Sequence, residues 1–175
     1  NNFALGTNDL AQALQISASG IAVLGNSFED TIGMITAGLE VMPGQAAKIG
    51  RSIVSFGNNL AKTAQTAGEL IYNVQGVTKS LSLLDSATGE TKSTMQILKD
   101  LKSDWDAMTD SERQSIALAI GSKTQFSSLS AILQNLDSGV EASKTALQSQ
   151  GSALKENARY LDSIQGKVSQ FTSEL

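Results

Sequence analysis

Apolar side chains return at steps of three and four along most of the chain, the spacing that gathers them on one face of an α-helix. Leu10, Leu14, Ala18 and Ile21 form the first such face, behind a cap at Thr7 or Asn8, and Gly25 ends it. SFEDTIGMITAGL starts a second helix, with Ser27 as N-cap, Glu29 and Asp30 in the first turn, and Phe28, Ile32, Ile35 and Leu39 on one side. Met42-Pro43-Gly44 breaks the pattern, because proline disfavours helical geometry in the residue before it. From Gln45 to Leu60 small and branched residues alternate on one face (Ala46, Ile49, Gly50, Ile53, Gly57, Leu60), which permits close backbone approach. The run Ala64, Ala67, Ile71, Val74, Val77, Leu81, Leu84 continues the helical spacing until DSATGE stops it. Met95, Leu98, Leu101, Trp105 and Met108 mark the next helix.

Thr109 and Glu112 then stand three apart before IALAI, the spacing of a capping box, and Gly121 is expected to close that helix in the left-handed conformation. Phe126, Leu129, Ile132, Leu133 and Leu136 open a last helix expected to fold back on the tryptophan helix. Beyond it Leu133, Val140, Leu147, Leu154, Leu161, Val168 and Leu175 recur every seventh residue, as coiled-coil a positions do. At the d positions Leu136, Ile164 and Phe171 are apolar, while Ser143, Gln150 and Asn157 are polar. A lone helix of about 40 residues draws most of its stability from packing its stripe on something, so a partner helix, in this or another copy, is expected. The pattern predicts an all-α fold: amphipathic helices and helical hairpins followed by a long coiled-coil helix. Its segments are 1–60, a glycine-punctuated helical region; 61–94, an amphipathic helix and loop; 95–135, a helical hairpin around Trp105 and Gly121; and 136–175, the coiled coil.

Composition narrows the functional classes. Apolar residues make up 41% and aromatics only 5%, which suits thin helices better than a thick core. The net charge of -4, with cations scattered singly, argues against specific nucleic-acid binding. Cysteine and histidine are absent, which removes disulfides, Cys/His zinc sites and an imidazole base. No apolar run reaches the roughly 18 residues of a membrane span, and no leader pattern is present, so the segment reads as soluble and untargeted. The start at Asn1 and the ending QFTSEL suggest an internal piece of a longer protein.

Candidate chemistry is thin. Asp104 and Asp106 flank Trp105, yet residues two apart do not face each other on a helix. GSKT at 121–124 lacks the Gly-Lys junction of a phosphate loop, since Ser122 separates Gly121 from Lys123. Lys99, Lys102 and Lys123 fall on polar faces, where an amine is solvated and unreactive. Lys48, Arg51, Asn58 and Asn59 interrupt the small-residue face at 46–60 and favour a soluble helix contact over a membrane one. No catalytic, cofactor-binding or metal-binding residue is assigned, no cofactor is expected, and the segment reads as non-enzymatic.

Two blocks carry a resemblance. Residues 7–53, with Gly25-Asn26-Ser27-Phe28-Glu29 leading into an apolar helix and then a small-residue helix bearing Arg51, resemble a helical segment of phage tail tape measure proteins. Residues 84–135, with Gly89, the Leu98/Leu101/Trp105 helix, the turn after Met108 and the turn around Gly121 and Gln125, resemble the block that follows it. The chain departs from that block at Ile120-Gly121 and Thr124, and residues 60–83 have no counterpart. The resemblance implies a non-enzymatic structural protein of a bacteriophage or prophage-derived tail, lying in the tail lumen and in the host cytoplasm during assembly. Such proteins set tail length, scaffold the tube and leave ahead of the DNA. Implied partners are the tail tube, the baseplate or tail tip, assembly chaperones and, through the coiled coil, the chain itself, with membrane contact only during ejection. Helical rise, about 1.5 Å per residue, would turn residue count into length. A compact helical module that unfolds to thread the lumen is the second expectation. A secreted or surface coiled-coil interaction protein is the alternative.

Overall fold

The computed structural model describes residues 6–21 and 25–149. Chain contacts divide it into a unit of residues 1–143 and a second of 144–175, of which 144–149 are described and helical. In the first unit α1 (Thr7–Ile21), α2 (Phe28–Val41) and α3 (Ala46–Thr66) are followed by strands β1 (Glu69–Val74) and β2 (Val77–Ser82). Then come α4 (Thr94–Ala107), α5 (Asp110–Ile120), a 3-10 turn (Lys123–Gln125) and α6 (Phe126–Gln134), and residues 136–143 are helical again.

Helix α2 lies at the centre. Thr31 and every residue from Gly33 to Leu39 are buried, so it has no solvent stripe along that stretch. Such burial requires neighbours on all sides, and α1, α3, α4 and α6 supply them. Its ends follow the local code: Ser27 Oγ accepts from Asp30 N at 2.9 Å, and the chain turns after Met42. α3 buries the expected Ala46, Ile49, Gly50, Ile53, Gly57 and Leu60, together with Phe56. It packs on α1, whose Ala13 carbonyl and Ile16 lie against Gly50, so the small-residue face is a contact between helices of this unit. α1 begins at Thr7, and the Gly6 carbonyl accepts from Asp9 and Leu10. Ala13 and Ser17 face inward there, while Ala18 is exposed.

The helical reading of Ala64 to Leu84 is corrected. α3 ends at Thr66, and residues 69–82 form an antiparallel hairpin with Tyr72 opposite Lys79 and Val74 opposite Val77. Burial alternates along β1: Leu70, Tyr72 and Val74 point inward, while Ile71 is 63% exposed. The turn explains the outcome. Gln75 at φ +50° and Gly76 at φ +78° form a two-residue turn with both centres left-handed, whose twist matches that of paired strands. The fold is therefore mostly helical with one small sheet.

The expected faces of α4 and α6 hold. Met95, Leu98, Leu101, Trp105, Met108, Leu129, Ile132, Leu133 and Leu136 are all buried. Phe126 reaches the tryptophan helix, its ring 6.4 Å from that of Trp105, but α6 packs most extensively on α2. At its start the heptad series is not one continuous rod: α6 stops at Gln134, Asn135 is a turn, and Leu133 and Leu136 belong to the core of the compact unit. Asn135 Nδ2 donates to Glu40 Oε2 at 2.5 Å, tying this break to the end of α2. Farther on, Leu147 is 60% exposed, and Leu154, Leu161, Ile164, Val168, Phe171 and Leu175 lie outside the described residues.

The tightest crossing is between α2 and residues 136–143. A Cβ built on Gly33 would sit 2.4 Å from the Gly139 carbonyl oxygen, and one on Gly139 would sit 2.5 Å from that of Gly33. In an open helix Gly→Ala stabilises by about 1 kcal/mol through propensity, whereas forcing a methyl against backbone costs roughly 1–3 kcal/mol. Backbone cannot rotate aside, so the clash prevails. Gly33→Ala and Gly139→Ala each lower the urea midpoint, and the double variant is not additive because the two sites touch. A midpoint raised by either substitution would contradict this packing.

Candidate interaction surface

The hairpin is fastened to the helices by two carboxylates. Tyr72 and Lys79 face each other across the strands, and Asp104 of α4 accepts from both, from the Tyr72 hydroxyl at 2.7 Å and from Lys79 Nζ at 2.5 Å. At the turn, Gly76 N–H donates to Glu112 Oε1 at 2.9 Å and Gln75 Nε2 to the Ala107 carbonyl at 3.3 Å. The other Glu112 oxygen accepts from Thr109 N at 2.8 Å and Thr109 Oγ1 at 3.0 Å. The expected capping box is thus present, and the same carboxylate that starts α5 also holds the strand turn.

The electrostatics follow from these donors. The N–H groups of Gly76 and then Thr109 stabilise the Glu112 anion and lower its pKa from 4.5 to about 2. The Lys79 ammonium first, then the Tyr72 hydroxyl, hold Asp104 below the ordinary aspartate value. Burial, followed by the adjacent Asp104, pushes the Tyr72 phenol upward. Arg113 closes the far end of α4: Nε donates to the Trp105 carbonyl at 3.0 Å and Nη2 to that of Asp106 at 3.3 Å, with the guanidinium carbon 5.6 Å from the Trp105 ring. A cation on terminal carbonyls meets the negative end of the helix dipole, and here it adds to the Met108 N–H already on the Trp105 carbonyl.

The residues singled out by sequence do not converge. Asp104 turns to the hairpin, whereas Asp106 pairs with Lys102 at 2.5 Å one turn back on α4. Lys99 and Lys123 are exposed. Gly121 ends α5 at φ −146° and ψ −116°, not in the left-handed conformation. Space is what selects glycine there, since a Cβ would meet Gln125 Oε1 at 2.5 Å and Phe56 at 2.9 Å. Lys48 Nζ donates to Ser127 Oγ at 2.7 Å, and Asn59 Nδ2 donates to the Ile120 carbonyl at 3.1 Å. Among the described residues no cluster of His, Cys, Asp and Glu is placed to hold a metal, and no helix is long and apolar enough to cross a membrane. Tyr72, Lys79 and the second role of Glu112 escaped the sequence reading; the signal was Gly76 between β-branched residues, masked by apolar steps of three and four.

Two hollows flank the 3-10 turn. One, of about 300 Å³, is lined by Gln114, Ala117, Leu118, Lys123 and Phe126. The other, of about 220 Å³, is lined by Lys48, Arg51, Ser52, Thr124 and Gln125. One lining is largely apolar and the other carries two cations.

The hairpin attachment is acid-labile. A carboxylate whose folded pKa is depressed stabilises the fold above its unfolded pKa and ceases to do so as pH falls through the folded value. For Glu112 that window runs from 4.5 down to about 2. After correction for intrinsic rates, hydrogen exchange at Gly76 and its strand neighbours accelerates across this window. Glu112→Ala brings the acceleration to neutral pH. Unchanged Gly76 protection in that variant would show the clip to be dispensable.

Comparison with known proteins bears on what such a surface serves. The family model of phage-related minor tail proteins matches residues 1–122, a span that includes the hairpin, the capping box and α1 to α5. No solved structure matches the chain. With well over half its length matched, the chain belongs to the phage-related minor tail protein family, structural components of the bacteriophage tail.

Proposed function

We propose that this chain is a segment of a tape measure protein, which sets tail length, scaffolds tube assembly and leaves ahead of the DNA, with no catalytic site or cofactor of its own. Family membership over residues 1–122 carries the reading. The two sequence blocks at 7–53 and 84–135 support its finer form. The protein lies in the tail lumen after assembly, with the tube, the tail tip and an assembly chaperone as partners.

The packed helices bear on how such a segment would act. A 143-residue unit folded to ordinary density has a radius of gyration of about 14–15 Å. The same residues as one helix would extend about 215 Å. The folded unit is the form of the free protein, and threading the lumen opens it. Small residues at the helix crossings favour that exchange, because close contacts between Gly and Ala bury less apolar area than contacts between large side chains.

Tail length is the readout. An in-frame deletion of forty residues within α2 to α5 shortens the tail by about 60 Å, and a duplication of the same size lengthens it equally. Electron microscopy of the resulting particles measures this. Tails of unchanged length would remove the ruler role from this segment.

A further inference from the structure

Helix α3 carries Lys48, Arg51 and Lys62 and no carboxylate, and the stretch 121–136 facing it carries Lys123 and no carboxylate. Lys79, Lys92, Lys102 and Arg113, by contrast, are ion-paired. Lys48 binds only the neutral Ser127 hydroxyl, and among the described residues the side chains of Arg51 and Lys123 have neither hydrogen bond nor ion pair. In a chain of net charge -4 this is a local concentration of unsatisfied positive charge. Lys48 and Arg51 line one hollow, and the apolar hollow across the same 3-10 turn has Lys123 at its edge and Leu118, 50% exposed, on its wall.

The complement stands elsewhere on the same surface. Among the described residues Phe28 is the only aromatic ring left exposed, at 53%. The next residue, Glu29, has no hydrogen-bonding or ionic partner among the described residues, and Asp30 receives only a 3.3 Å bond from Ser143. Consecutive residues on a helix diverge by about 100°, so Phe28 and Glu29 point apart, as two hollows on opposite sides of a turn require. Glu29 cannot reach its own cationic hollow: it stands at the start of α2 and Lys48 just beyond its end, so the 14 residues of α2 separate them by about 21 Å.

We infer that the chain docks on a second copy of itself, Phe28 of one copy entering the apolar hollow at Ala117, Leu118 and Phe126 of the other, while Glu29 meets Lys48 and Arg51. The two surfaces differ, so the contact is heterologous and the pair keeps one free end of each kind. The inference does not depend on the length-setting role.

Sedimentation equilibrium of the full chain tests it. Association is concentration-dependent between roughly 1 μM and 1 mM, the range of small transient interfaces, and weakens with salt. Arg51→Glu and Glu29→Arg each weaken it by roughly tenfold or more, and Phe28→Ala does the same without altering the salt dependence. An equimolar mixture of Arg51→Glu and Glu29→Arg chains restores association, because each supplies the end the other lacks. Rescue also establishes that both variants are folded. A monomeric wild type at the highest concentration overturns the proposal, as does association that survives both charge reversals or a mixture that fails to rescue.

Discussion

The fold rests on burying one helix from every side. From Gly33 to Leu39 α2 presents no residue to water, so its neighbours must approach closely enough to exclude solvent all around a cylinder. Only small side chains allow this. Gly33 admits the backbone at Gly139, Gly38 lies against Ile49 and Ile132, and Ala37 is in reach of Gly139. The large groups sit where these crossings leave room: Met34 and Met95, Ile49 and Ile53, and Phe56 against Gly121. Aromatic residues are few because a bundle spaced by glycine and alanine has little room for rings.

Polar satisfaction is organised at the ends of elements rather than in the core. Ser27, Ser93 and Thr109 start α2, α4 and α5. Arg113 finishes α4, and Asn59 takes the last carbonyl of α5. Asn26 is the buried counterpart, donating to Thr94 Oγ1 at 3.1 Å and accepting from Met95 N at 3.4 Å. It therefore joins the start of α2 to the start of α4 across 68 residues of sequence, where an unpaired amide would carry a desolvation cost of about 1–3 kcal/mol. Such contacts fix the register of the helices while the small residues fix their spacing.

Much of this was legible from residue spacing. The faces of α3, α4 and α6 and the Thr109–Glu112 capping box depend on local periodicity and local hydrogen bonds, which sequence states directly, whereas the face expected of α2 fails, since Phe28 is exposed and Gly33 to Leu39 are buried on every side. The hairpin was not, because Ile71, Val74, Val77 and Leu81 satisfy a helical repeat while Leu70, Tyr72 and Val74 satisfy an alternating one; the turn at Gln75-Gly76 and the Tyr72–Asp104 contact decide between them. Asp104 was visible as a candidate, but its partners lie 32 and 25 residues away, a separation no local pattern encodes. The first positions of the heptad beginning at Leu133 show the opposite case. Leu133 and Leu136 do occupy seam positions, but the seam they pack is the core of their own unit, and the turn at Asn135 divides them.

A surface of this kind acts through shape and charge. Lys79, Lys92, Lys102 and Arg113, on the hairpin, just before α4, on α4 and on α5, are ion-paired, whereas the cations of α3 and the 3-10 turn have no carboxylate partner among the described residues. Had evolution of the surface served only solubility, the carboxylates gathered on α4 and α5 would be as useful interspersed with Lys48 and Arg51. Segregating charge leaves a face that repels its own kind and attracts the acidic start of α2. A core spaced by small residues can be opened at modest cost, whereas an exposed aromatic ring beside a free carboxylate is poorly solvated until something covers it. The same chain thus combines an interior spaced by small residues with an exterior whose charges are segregated.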